Sequence, residues 1–181
     1  MILTDREIQS ALNSGQISID PRPEVDAYSS TSVDLTLLDN FTVWRSNPGI
    51  TIRPGKRGHS YSHLATLQES RITDQYELRS MSFVLAWTKE IVTIPNSSRL
   101  AARVEGKSSI ARIGISVHIT APTVHSGFTG PIQLEMFNFG PHDVVLDAGM
   151  RICQLIFEQT LGTPDKGYQG AFLNQAPRTA S

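Results

Sequence analysis

Cysteine is almost absent from this chain: Cys153 is the only one in 181 residues. A lone thiol excludes an intrachain disulfide and any cysteine-rich zinc site. Positive charge is not in surplus either, with 16 Lys and Arg against 17 Asp and Glu and a formal net charge of -1. A nucleic-acid coat or a membrane-surface protein would carry a basic excess. DNA, RNA and membrane partners are therefore not expected, and any polyanion must be held by a local cluster such as Arg103, Lys107 and Arg112. Long apolar runs are missing too, so no stretch approaches membrane-spanning length. The opening Met1-Ile2-Leu3-Thr4-Asp5-Arg6-Glu7 meets acid before any signal-like segment forms, and a cytoplasmic location is expected. Repeats, low-complexity tracts and linkers are likewise absent, which makes residues 1–181 read as one domain with room for a real core.

What is present is a series of short β-branched runs separated by Pro, Gly, Asn or Asp. Strands are expected at Ser30–Leu37, Phe41–Trp44, Ser82–Trp87, Ile91–Ile94, Leu100–Glu105, Ile115–Ile119, Ile132–Phe137, Val144–Leu146 and Arg151–Phe157. One short helix is expected near the start, where Thr4 and Glu7 have capping-box spacing and Ile8, Ala11 and Leu12 share a face before Gly15. Many strands with a single helix indicate an all-β fold, a sandwich or barrel. The region Asn47–Tyr76 reads as loop-rich, with weak strand signals at Ile50–Ile52 and Leu64–Leu67. The tail after Gly162 has few apolar residues and should lie outside the core.

The segment Glu105-Gly106-Lys107-Ser108-Ser109-Ile110-Ala111-Arg112-Ile113-Gly114 carries the strongest chemical signal. Glycine lets backbone amides approach a ligand, successive amides form an anion-binding concavity, and lysine and arginine suit phosphate oxygens. The bland alternative is a polar hairpin whose serines satisfy nearby backbone groups. A P-loop is excluded: its upstream glycine would fall at Ala101, inside a strand, and Ile115 onward alternates like a strand where a helix should follow. Further on, Ile132, Leu134 and Met136 fall on one strand face, and Gln133, Glu135 and Phe137 on the other. Glu135 is then either a solvent-facing acid or a partly desolvated one with a pKa raised toward the range useful for moving protons. Arg112 could hold such a carboxylate. His118 and His125 match no standard metal-ligand spacing, and Cys153 reads as a buried small hydrophobe. Lys166, Tyr168 and Gln169 form a polar-aromatic cluster suited to closing over a nucleotide, or else an ordinary terminus.

These residues resemble the dCTP deaminase family of the dUTPase-like superfamily. The likeness runs along most of the chain, in order: Ile2–Ile8, Ser30–Leu35, Glu105–Gly114, His118–Ala121, Gly127–Gly130, Leu134-Glu135, Gly149–Leu155 and Lys166–Gly170. It implies a distorted β-barrel or jelly roll, assembled as a homotrimer with sites shared between subunits. It implies hydrolysis of dCTP to dUTP and ammonia without zinc, with Mg²⁺ carried on the triphosphate. By the match, Glu135 is the general base, Ser108 and Arg112 orient it and the water, and the Ala121 carbonyl positions the nucleophile. Lys107, Ser108 and Ser109 cradle phosphates, with Arg112 beside them and Lys166, Tyr168 and Gln169 added from the tail. Gln133 contacts the base. dTTP enters as a candidate inhibitor.

Three positions depart from the family pattern. His125 stands where the family has an aspartate that meets the deoxyribose, which bears on sugar selectivity and weakens a diphosphatase reading. Pro122 replaces the residue after Thr-Ala and removes a backbone donor. The tail offers both Gln169 and Gln175 for closing the site. A bifunctional deaminase and dUTP diphosphatase, or a non-catalytic nucleotide-binding homologue, are the alternatives.

Overall fold

The computed structural model describes residues 1–46, 49–170, 172–173 and 175–177. Along the chain run α1 (Asp5–Asn13), β1 (Ser18–Asp20), β2 (Tyr28–Ser29), β3 (Ser32–Thr36), β4 (Asn40–Trp44), β5 (Gln68–Ile72), β6 (Gln75–Leu78) and β7 (Phe83–Thr93). There follow β8 (Leu100–Gly106), α2 (Ser108–Ala111), β9 (Ile115–Ser116), β10 (Thr123–Val124), β11 (Thr129–Asn138), β12 (Val144–Asp147) and β13 (Arg151–Gln159). The fold is mainly β with a short N-terminal helix, as the spacing of apolar runs indicates.

One sheet orders its strands β5-β4-β7-β11-β9, with β1 also on β7; the second runs β10-β8-β13-β3-β2, and β12 pairs with β6. Each main sheet turns one face inward. Ile132, Leu134 and Met136 of β11, Val84 and Ala86 of β7, Val33 and Leu35 of β3, and Leu155 and Phe157 of β13 join one apolar core. A buried carboxylate ties the sheets together: Glu90 of β7 accepts from the Thr36 amide (2.9 Å) and hydroxyl (2.7 Å) on β3. Helix α1 packs Ile8 and Ala11 into the core, and the Thr4 amide closes its first turn onto the Glu7 carboxylate (3.1 Å).

Several elements differ from the sequence reading. Most of Ser82–Trp87 and Ile91–Ile94 falls in one long strand, β7, whose pairing with β11 shifts register between Trp87 and Ile91. Ile50–Ile52 is not a strand, and Tyr61–Leu67 is a 3₁₀ segment; Asn47 and Pro48 of that region lie outside the described residues. The polar runs Gln68–Ile72 and Gln75–Leu78 are strands instead, recruited by pairing with β4 and β12. After the Gly106-Lys107 turn comes one turn of helix, α2, and of Ile115–Ile119 only Ile115–Ser116 pairs as strand. The break has a steric basis. Gly114 (φ 95°) sits so close to Phe139-Gly140 that a Cβ would come 2.3 Å from the Gly140 nitrogen.

Candidate active site

Strand β11 alternates strictly. Ile132, Leu134, Met136 and Asn138 point inward, while Gln133, Glu135 and Phe137 stay half-buried on the opposite face. Residues directly opposite in antiparallel strands share a face. Glu135 lies opposite Leu85, Gln133 opposite Trp87 and Phe137 opposite Phe83, and Leu85 in turn lies opposite Thr42 of β4. This outer face is covered by residues 121–125, by Tyr61 and by the tail. Together they enclose a cavity of about 400 Å³ whose wall includes Glu135, Gln133, Ala121, His125, Tyr168 and His118. Its far end is aromatic: Trp44 meets Tyr61 edge-on at 6.5 Å between centroids, and Tyr61 meets Phe172 at 5.4 Å.

Glu135 is the only carboxylate in the cavity wall among the described residues. Burial pushes its pKa above the ordinary 4.5, partly offset by a backbone hydrogen bond from Ile119 and by nearby His118. Of the two sequence alternatives for this residue, the partly desolvated acid is the one found. His118 stands in the wall between this cavity and a second concavity formed by Gly106, Ala111, Ser116 and Phe139. Its Nε2 is 3.8 Å from the Glu105 carboxylate.

The tail folds back over the cavity. The Tyr168 amide donates to the Ser126 carbonyl (2.9 Å). The Tyr168 ring stacks on His125 at 5.4 Å and 12°. Gln175, not Gln169, lines the cavity, and its Nε2 donates to the Pro131 carbonyl at 3.1 Å. Gln169 and Lys166 are exposed and outside the wall. Gly127 (φ 87°) makes this docking possible, since a Cβ there would come 2.6 Å from the Tyr168 nitrogen.

The phosphate-loop residues sit elsewhere. Lys107, Ser108, Ser109 and Arg112 contribute nothing to the cavity wall. Lys107 is ion-paired with Asp34, which is only 8% exposed. Arg103 pairs with Glu158 (2.9 Å) and Glu105 (3.0 Å), so the cation cluster expected from sequence is largely spoken for within the chain. Ser108, Ser109 and Arg112 are exposed on α2 and at its end. Arg112 forms no ion pair with Glu135 or any other acid among the described residues. Beside this loop the apolar side chains Ile113 (52% exposed), Ile119 (51%) and Phe139 (64%) face outward. Among the described residues no group of three or more His, Cys, Asp or Glu could hold a metal ion, and no helix is long and apolar enough to cross a membrane.

Two facing antiparallel sheets with a carboxylate-bearing strand under a folded-back tail define a dUTPase-like class of fold. Among solved structures, the chain superposes on the 2'-deoxycytidine 5'-triphosphate deaminase of Agrobacterium tumefaciens with a TM-score of 0.66 at 20% identity, over 87% of this chain and 48% of that one. It superposes on the dUTPase of phage phi11 of Staphylococcus aureus with a TM-score of 0.53 at 8% identity, over 85% and 96%. The chain belongs to the dCTP deaminase-like family, whose model matches residues 2–160. It is 38% identical over 165 residues to the dCTP deaminase, dUMP-forming, of Methanobrevibacter smithii, covering 90% of this chain and 82% of that protein. It is 37% identical over 174 residues to the dCTP deaminase of Rhodospirillum rubrum, covering 93% and 87%.

Proposed function

We propose that this protein hydrolyses dCTP to dUTP and ammonia. The observation that carries the reading is the single half-buried acid, Glu135, whose raised pKa fits it to exchange protons in a cavity floored by Gln133 and closed by Tyr168. Water adds through its oxygen to C4 of the pyrimidine, and Glu135 takes the proton that the water gives up. The same carboxyl passes that proton to the ring nitrogen, then takes the proton of the new C4 hydroxyl and hands it to the exocyclic amine; the C4–N bond breaks as the C4 carbonyl forms, and ammonia leaves. The Ala121 carbonyl, at the cavity edge, accepts from the attacking water, and His125 meets the sugar.

A complete site needs a second subunit. Ser108, Ser109 and Arg112 are exposed on the far side of the His118 segment, flanked by outward-facing Ile113, Ile119 and Phe139. An assembly that covers these apolar residues would bring one subunit's loop to its neighbour's Glu135 cavity. Arg112 and Ser108 would then orient the acid and the water, and Ser108 and Ser109 with Lys107 would hold the phosphates. A homotrimer meets this need with closed symmetry. Mg²⁺ would accompany the triphosphate and shield its charge.

Release of dUTP is favoured over further cleavage to dUMP, because among the described residues of this chain the cavity wall offers no second carboxylate to activate a water at phosphorus. Incubation with dCTP, followed by separate measurement of ammonia, dUTP, dUMP and diphosphate, tests both points. Ammonia in step with dUTP is expected from the native protein, whereas Glu135→Gln should bind dCTP and release no ammonia. Turnover by that variant near the native rate would remove Glu135 as the base.

A further inference from the structure

Beside the Glu135 cavity lies a second chamber of about 300 Å³ on the same sheet face, with Thr42, Ser60, Ser62, Gln68, Trp87 and Gln133 in its wall. The two spaces share Gln133, Gln175, Tyr61 and Phe172, and the Tyr61–Phe172 ring pair stands in the wall common to both. The chamber shares the aromatic rings Tyr61 and Phe172 with the main cavity but adds hydroxyl and amide side chains of its own. Its lining presents four hydroxyls and three amides, and no charged side chain among the described residues.

One of its lining residues carries a donor without a partner. Trp87 is 5% exposed, and its indole N–H is buried with no hydrogen bond among the described residues. Indole is a donor only, and a buried donor is seldom left unpaired without a ligand or water to meet it. Trp87 lies directly across the strand pair from Gln133. Gln133 is two residues from Glu135 on the same face, roughly 7 Å along the strand. A pyrimidine with its reacting carbon at Glu135 therefore reaches toward Gln133, and a group on the adjacent ring carbon would project past it.

We infer that the chamber is a specificity pocket for deoxycytidine nucleotides carrying a neutral, oxygen-bearing substituent at C5, such as hydroxymethyl. The substituent's oxygen accepts from the Trp87 indole and exchanges hydrogen bonds with the Thr42 and serine hydroxyls. The chemistry is otherwise unchanged: water enters at C4 and ammonia leaves. This inference rests on the deaminase reading of the Glu135 cavity.

The test compares dCTP, 5-methyl-dCTP and 5-hydroxymethyl-dCTP. The native protein should turn over the hydroxymethyl compound at least as well as the methyl one. The ratio of their kcat/KM values should fall about tenfold in Trp87→Phe, which keeps an aromatic ring but removes the donor. Ser62 is exposed, so Ser62→Leu leaves the fold intact; it fills the chamber and should depress kcat/KM for both substituted nucleotides relative to dCTP. A hydroxymethyl-to-methyl ratio unmoved by Trp87→Phe, or native rejection of both substituted nucleotides, overturns the inference. Calorimetric titration of the Glu135→Gln variant with the same three nucleotides separates the two proposals. A binding preference for hydroxymethyl without ammonia release by the native protein would overturn the deaminase reading and support the pocket. Equal binding of all three would overturn the pocket whatever the chemistry.

Discussion

Glu135 illustrates how one residue ties stability to reactivity. Its pKa is raised because burial disfavours the charged form. For a group raised on folding, the stabilising contribution is full below its unfolded pKa near 4.5 and is lost as pH rises through the higher folded value. Ionised Glu135 therefore weakens the native state at neutral pH. The Tm of Glu135→Gln relative to the native protein should climb between pH 4 and pH 8, and a difference that is flat or shrinks would contradict the burial argument. As the proposed base, Glu135 must be ionised to act, so the acid limb of kcat/KM should fall above the ordinary carboxylate value. The loop residues call for separate variants. Lys107→Ala would leave Asp34 buried and uncompensated, so it should lower Tm as well as phosphate affinity. Ser109 is exposed, and Ser109→Ala should keep Tm while weakening binding of the triphosphate far more than of the nucleoside. Equal loss for both ligands, measured by calorimetry, would rule out the cradle.

At the level of elements, β11 and the tail make the site together. The alternation of β11 was legible because a period of two sorts residues by face wherever one face is buried. That Trp87 and Thr42 share the Glu135 face was not legible, because registers between distant strands leave no local trace. Strands β5 and β6 were missed for a related reason: Gln68–Ile72 and Gln75–Leu78 are polar runs that become strands through their partners. The single turn α2 escaped because four residues are too few to show a helical period. The tail residues Tyr168 and Gln169 were singled out together, yet only Tyr168 reaches the cavity, with Phe172 and Gln175 beyond it. Docking of that segment depends on Gly127. In Gly127→Ala the added methyl would meet the Tyr168 backbone and the positive φ would become strained. The tail should then be cut faster by protease and KM for dCTP should rise roughly tenfold, about the worth of one or two lost hydrogen bonds. Unchanged proteolysis would show that the tail does not need this glycine.

For the whole molecule, the decisive matter is whether Arg112 and Glu135 meet across the proposed subunit interface. Within one chain they do not pair, and the exposed Ile113, Ile119 and Phe139 mark the face through which a neighbour would join them. Two inactive variants, Glu135→Gln and Arg112→Ala, should therefore complement each other. Random mixing at equal amounts should restore about a quarter of the native activity, since each proposed shared site would draw one residue from each of two subunits. No recovery after co-refolding into the same oligomer would confine the site to a single chain.

The order of apolar runs and the capping residues were enough to specify a mainly β chain, an N-terminal helix and the strand face that carries Glu135, because alternation and capping are local properties of a segment. Tertiary structure alone decided that Lys107 answers to Asp34, that Gln175 lies over the cavity, and that Trp87 and Gln133 face a common chamber. Those outcomes depend on which distant strands pair and in what register, and no short stretch of residues encodes that.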